Sequence, residues 1–386
     1  MRRINTLRIF YLSFTLNLNK MRKSFLLVLS FCVSTLIANA QNFKLIIGTY
    51  TNKGNSEGIY IYNFDSKTAN TKQLNVIRNV SNPSYLTLSK NKDFLYSVYE
   101  DGTNSAASAF KFNQQTSEAS FLNKEATKGT NPCFILTDGK NVLTANYSGG
   151  SISVFGVKAD GSLSALKQNI QHTGSGPDKR QASAHVHQVL FSPDGKYVVA
   201  TDLGEDRVYI YHYDAAAAQP LKLKTSIKTN SGSGPRHLAF SPNGKYAYLA
   251  HEFNGKISAF SYSDGNLILL QEVETVAKDF NGKIDAADIH LSSDGKFLYE
   301  SNRGDANTIN VFAVQKNGKL NFVETVNTLG KGPRNFNIDP TGKYLLVAHQ
   351  YTNDVVIFNR NAKTGKLTDS GKRINVGTPV CLIFDK

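Results

Sequence analysis

FSPDGKYVVATD at Phe191–Asp202, FSPNGKYAYLAH at Phe240–His251, LSSDGKFLYESN at Leu291–Asn302 and IDPTGKYLLVAH at Ile338–His349 are four copies of one phrase. Their turn glycines, Gly195, Gly244, Gly295 and Gly342, lie 49, 51 and 47 residues apart. Fainter copies turn at Gly139 (Leu136–Asn146) and at Lys92–Asp93 (Leu88–Tyr99). A fixed period of this length marks a repeat architecture, in which each unit is one supersecondary element stacked on the next. Each copy has hairpin grammar: an apolar run, a D/N/T-G-K turn, then a run rich in Tyr, Val and Leu. Two further short strands follow in most copies, as at Arg207–Tyr213 and Lys256–Tyr262. Four strands in about 45–50 residues make a propeller blade. No useful length carries a helical period, so the chain is expected to be all-β.

The ends of the chain set the blade count. Pro379–Lys386, PVCLIFDK, is a first strand running into its turn, and Phe43–Tyr50, FKLIIGTY, has the character of the missing second strand. Joined, they complete one blade and close the ring, leaving no sheet edge open. Six whole copies and this composite predict seven blades, closed by pairing of N- and C-terminal strands. An open solenoid would need polar terminal caps, and none is visible. With 386 residues, 29 Gly, 23 Phe and 18 Tyr, the chain is large enough for one β core across 41–386. The absence of Trp disfavours a propeller built on Trp-Asp dipeptides.

Residues 1–40 read as a leader. Met21-Arg22-Lys23 is a basic start, Ser24–Ile37 an apolar stretch, and Ala38-Asn39-Ala40 a cleavage signal before Gln41. Met1–Lys20 is then an upstream segment, Met21 the true start, and the mature protein periplasmic or secreted. The leader holds six Lys/Arg and no acid, so its loss takes the net charge from +14 to +8. That moderate charge comes with no basic run or aromatic platform, which argues against nucleic acid and fits a small anionic ligand better. No membrane insertion after cleavage and a monomer are expected. Cys133 and Cys381 remain, both on innermost strands of blades that are not neighbours, so no disulfide and no metal site is expected of them.

The repeat frame also locates a site. Residues eight before and eight after a turn glycine should face one another across the first two strands. These pairs are Arg236 with Glu252, His187 with Leu203, Ala287 with Arg303, Arg334 with Gln350 and, in a fainter copy, Ser84 with Glu100. All lie at one mouth of the central channel. Strand interiors are apolar, whereas this rim collects His187, Arg236, Glu252, Arg303, Arg334 and Glu100. Singly, such charges at strand ends are solvated or paired. Together they supply a base, carboxylates and guanidinium groups around one funnel, a set suited to an anionic ester.

At these residues the chain resembles a known family. HTGSGPDKRQASAHVH at His172–His187, Asp202-Leu203-Gly204, Gly234-Pro235-Arg236-His237, His251-Glu252 and Ser301-Asn302-Arg303-Gly304 resemble the lactonase family of seven-bladed propellers, over essentially all of 43–386. That family contains propeller-type 6-phosphogluconolactonases and fungal carboxy-muconate cyclases. Ala184 departs from the Pro that commonly precedes the first histidine. The resemblance implies catalysis without metal or other cofactor by His187, Arg236, Glu252 and Arg303. His187 would transfer the proton, the two arginines would hold the anion, and Glu252 would orient Arg236 or water. His185, Arg180 and Gln181 are expected to shape the entrance and, with Arg334, to contact substrate. The activity implied is hydrolysis of an anionic sugar lactone. A muconate-type lactonising cycloisomerase and a non-catalytic periplasmic binding propeller are the alternatives.

Overall fold

Each repeat folds as a four-stranded antiparallel sheet, and the computed structural model describes seven of them over residues 42–385. The leader and its cleavage site lie outside the described residues. From the channel outward, blade 1 runs Pro379–Phe384, Asn42–Thr49, Ile59–Asp65 and Thr71–Ile77. Blades 2 to 7 begin with innermost strands Leu86–Leu88, Pro132–Thr137, Val186–Phe191, Pro235–Phe240, Ala286–Leu291 and Pro333–Ile338. No α-helix occurs among the described residues, only the short 3₁₀ turns Gly102–Asn104 and Lys179–Gln181.

The turn phrase folds as its grammar requires. Ser192 accepts from the backbone N–H of Gly195 at 2.9 Å, and Gly195 takes φ +69°, a left-handed conformation that glycine adopts without steric cost. In the fainter copy turning at Lys92, that lysine itself sits at φ +63°. This explains why the copy is hard to see: the shape persists without the glycine.

Blades are wedged together by the apolar residues of their inner strands. Between blades 4 and 5, Val199 and Ile210 meet Leu238, Leu249 and Phe260, all buried. Each such side chain contributes roughly 1.5–3 kcal/mol on burial. Tyrosines clip blade to blade: Tyr96, Tyr248 and Tyr299 donate to the carbonyls of Gly161, Gly318 and Gly365 at 3.0, 3.0 and 2.8 Å. The ring closes as the termini predicted, with Ile46 opposite Ile383, Ile47 opposite Leu382 and Gly48 opposite Cys381.

One feature of the innermost strands departs from the sequence frame. In six blades the register between the first two strands slips near the channel mouth. Where one residue is left over it is Val380, Cys133, His187, Arg236 or Arg334, while in blade 6 Ala287 and Asp288 share the slip. The pairing across the hairpin is therefore offset from the simple mirror. Glu252 bonds the carbonyl of Gly234 at 2.8 Å, Arg303 that of Asp285 at 3.0 Å and Gln350 that of Gly332 at 2.9 Å. Such β-bulges re-aim a side chain that a regular pleat would direct elsewhere. The bulged column carries Cys133, His187, Arg236 and Arg334.

Candidate active site

Two columns of the repeat build the site. One is the bulge column. The other is the residue just past each second strand: Tyr50, Glu100, Tyr147, Leu203, Glu252, Arg303 and Gln350. Members of both line a cavity of about 400 Å³ whose wall includes Tyr50, Glu100, Cys133, Tyr147, His187 and Arg303. Arg180, Glu252, Lys283, Asp285 and Arg334 complete its charged lining.

Below this cavity the channel is shut. Tyr85 and Phe134 stack at 4.1 Å between ring centroids, and the His237 ring meets them edge-on at 6.3 and 5.7 Å. These residues come from blades 2, 3 and 5, so their contacts cross the channel axis. His237 is held by Asp288 (Nδ1 to Oδ1, 2.8 Å), which also receives His290 Nε2 at 2.9 Å. Burial, with Arg236 nearby, lowers the pKa of His237 to about 4, so this floor is a neutral imidazole against an ionised carboxylate.

His187 stands on that floor, its ring centroid 5.0 Å from that of His237. It is 3% exposed. Burial first, then the cations Arg236, Arg334 and Arg303, push its pKa well below the ordinary histidine value. Its Nδ1 lies 3.8 Å from Cys133 Sγ. Burial and the carboxylate of Glu100 push that thiol up to about 12, so Cys133 stays protonated and is no nucleophile.

Glu252 is the hub of the cations. Its Oε2 lies 2.9 Å from Arg236 Nε and 3.0 Å from Arg303 Nη2, and its Oε1 3.9 Å from Arg180 Nη1. Arg303 is fixed further by Asp285, through Nη2 to Oδ1 at 3.1 Å and Nε to the carbonyl at 3.2 Å. Its Nη1 has no partner among the described residues. Arg236, 1% exposed, donates to the carbonyl of Ala287 and sits behind the cavity wall, where it anchors Glu252. Arg334 is the contrary case. Its guanidinium stacks 5.5 Å from the Tyr50 ring and makes no hydrogen bond or ion pair among the described residues. A guanidinium with every donor free is an anion receptor.

Glu100, on the same wall, accepts from Ser84 Oγ. Burial raises its pKa to about 7, against the opposing pull of Ser84, Arg334 and Tyr50.

The entrance segment divides. Arg180 reaches the cavity with its guanidinium 3.7 Å from the Phe253 ring centroid. Gln181 does not: it is fully buried, and its amide bonds Leu203 O and Asp206 Oδ1, both at 2.8 Å. It pins the segment and does not line the cavity. His185 stacks on Tyr147 at 4.5 Å and bonds its carbonyl through Nδ1 at 2.9 Å, behind the lining. The segment docks closely at Gly204, where a Cβ would come 1.9 Å from Ser183 O. His172 closes it, with Nδ1 on Asp202 and Nε2 on Tyr211, each at 2.7 Å. With Glu205 these form a cluster of metal-ligand type, yet both imidazole nitrogens are already engaged by protein.

Comparison with known proteins identifies the family. Residues 44–384 match the model of the lactonase family of seven-bladed β-propellers. A 6-phosphogluconolactonase of Bacillus subtilis is 38% identical over 350 residues, covering 88% of this chain and 97% of the relative. The crystal structure of a candidate 6-phosphogluconolactonase from Bacteroides fragilis superposes with TM-score 0.85 at 44% identity, covering 89% of this chain and 98% of that one. That of a periplasmic gluconolactonase of Pseudomonas aeruginosa gives 0.86 at 37%, covering 89% and 99%. The chain belongs to the lactonase family of seven-bladed propellers. It is a lactonase, a carboxylic ester hydrolase similar to 6-phosphogluconolactonases.

Proposed function

We propose that this enzyme opens an anionic sugar lactone in the cavity at the channel mouth, by acid–base chemistry that needs no metal. The observation that carries this reading is the free guanidinium of Arg334, with Arg303 Nη1 unpaired, in one wall with a neutral, buried His187. The lactone carbonyl lies toward the arginines, and water approaches its carbon from the His187 side. His187 takes the proton of the attacking water as the carbonyl electrons move onto oxygen. A neutral imidazole can accept that proton at pH 7, and the cations around it make its acid form quick to release it. The oxyanion is met by N–H donors already in place, the arrangement that contributes most in acyl transfer. Collapse breaks the ring C–O bond, and the leaving alkoxide takes the proton from His187. Glu252 performs no proton transfer in this scheme; it holds Arg236 and Arg303 in position.

The test is a lactone panel (gluconolactone, its 6-phosphate and a muconolactone) run with and without EDTA. Opening of sugar lactones that survives EDTA is the expected result. Activity abolished by EDTA and restored by a divalent cation would remove the metal-free mechanism, and turnover of muconolactone alone would replace the substrate class.

A further inference from the structure

Beside the main cavity lies a second of about 370 Å³, and the two share Tyr50, Glu100 and Asn131 as a common wall. They are two lobes of one funnel. Each falls within the roughly 300–1,000 Å³ typical of a small-ligand site.

The lobes differ in chemistry. The main lobe is lined by Arg180, Lys283, Arg303 and Arg334 against three carboxylates, with His187 beside them. The side lobe has one cation, Lys53, facing Glu100 and Asp101; the rest of its polar lining is amide and hydroxyl. Several of these groups are idle. The side chains of Asn52, Ser81 and Gln350 make no hydrogen bond among the described residues. Gln350 Oε1 is buried without any partner, a state that costs about 1–3 kcal/mol unless a ligand or water relieves it. Asn82 is a different matter, since its amide is spent on Thr51, Asn52 and Glu100 and shapes the wall.

The geometry points to a subsite in this side lobe for a second, neutral sugar unit carried on the lactone. Planar amides that donate and accept suit vicinal hydroxyls, and the Tyr50 ring in the wall shared by the lobes suits the apolar face of a sugar ring. A phosphate is disfavoured there by Glu100 and Asp101. The inference rests on the lactonase reading above, in which the reacting carbonyl occupies the main lobe; the glycosyl substituent then crosses Tyr50 into the side lobe.

The experiment compares glucono-δ-lactone, its 6-phosphate and a disaccharide lactone such as cellobiono-δ-lactone, on the wild-type chain and on Asn52→Ala/Ser81→Ala. Wild type should favour the disaccharide lactone by about tenfold in kcat/KM, the effect of one or two neutral hydrogen bonds. The double variant should lose that advantage through KM while keeping glucono-δ-lactone kinetics within about twofold, which also shows that it is folded. Equal wild-type kcat/KM on the two neutral lactones, or a parallel loss on both in the variant, overturns the subsite. So does a preference for the phosphorylated lactone that Lys53→Ala abolishes. A chain that opens no lactone at all would instead overturn the reading on which the subsite rests.

Discussion

His187 and Arg334 do opposite things with their surroundings. Burial and neighbouring cations keep His187 uncharged across the physiological range, while Arg334 remains a bare cation with its donors unspent. His187→Ala should therefore lower kcat by about 10²–10⁴-fold, the usual contribution of a positioned acid–base group, with melting temperature little changed. Arg334→Lys keeps the charge and loses the planar fork, so its signature should be a raised KM for anionic lactones. Steady-state kinetics of the two variants check this, and wild-type turnover in His187→Ala would remove the histidine from the chemistry. Glu100 is expected to set the pH response. Its pKa of about 7 means that it gains negative charge as pH rises through neutrality, in the cavity proposed to receive an anion. The rate profile of kcat/KM should accordingly fall above about pH 7, and Glu100→Gln should flatten it; an unaltered profile in that variant would assign the inflection elsewhere.

Within the strands, what could be read beforehand and what could not divides along the bulge. The repeat copies made the hairpins, the blade order and the rim of His187, Arg236, Glu252 and Arg303 legible, because glycine turns and alternating apolar residues leave a mark in every copy. The bulge leaves none, since one residue left unpaired at the same place in most copies changes neither composition nor repeat spacing. The mirror rule accordingly set Arg236 squarely opposite Glu252, whereas the backbone pairs Glu252 with Gly234 and the two side chains meet by the bulge's turn. Tyr50 and Tyr147 could have been found by reading their column as Glu252 and Arg303 were read. Lys283 and Asp285 sit on a loop outside the repeat frame, where no period reaches. Arg236 behind the wall and Gln181 inside the segment show that a motif marks proximity without saying which atoms face the void.

One strand carries a cost that the repeat does not share. Glu300, fully buried in the second strand of blade 6, occupies the position held by Ile47, Ala200, Leu249 and Val347 in other blades. Asn310 donates to its Oε2 at 2.8 Å, and its Oε1 has no partner. Burial lifts its pKa to about 8 from an ordinary value of 4.5. The folded chain thus holds a proton that the unfolded chain releases. Its stability should fall as pH climbs from 4.5 through about 8. Glu300→Gln keeps an acceptor for Asn310 and removes the titration, so its gain over wild type should grow across that window to a few kcal/mol. Urea melts at pH 5 and pH 9 measure it; a gain that does not depend on pH would contradict the assignment.

For the whole molecule the closing strand is decisive. Removing Pro379–Lys386 takes away the innermost strand of blade 1 and exposes the edge of Asn42–Thr49 to the channel. Buried Cys381, Leu382 and Phe384 go with it, together with the Leu382 backbone groups that bond Asn335 and Asn337 in blade 7. The truncated chain should melt many degrees lower and in a broader transition. Calorimetry decides, and an unchanged melting temperature would mean that the ring does not depend on this clasp.

Tyr85, Phe134 and His237 turn what could have been a tunnel into a cul-de-sac. On the proposed reading the opened acid leaves by the door through which the next lactone arrives, carrying a fresh carboxylate past Arg334, Arg303 and Arg180. On the proposed mechanism the arginines that favour the reacting carbonyl also hold its product. An accumulating acid should then compete with fresh lactone for the same arginines, so added product should inhibit.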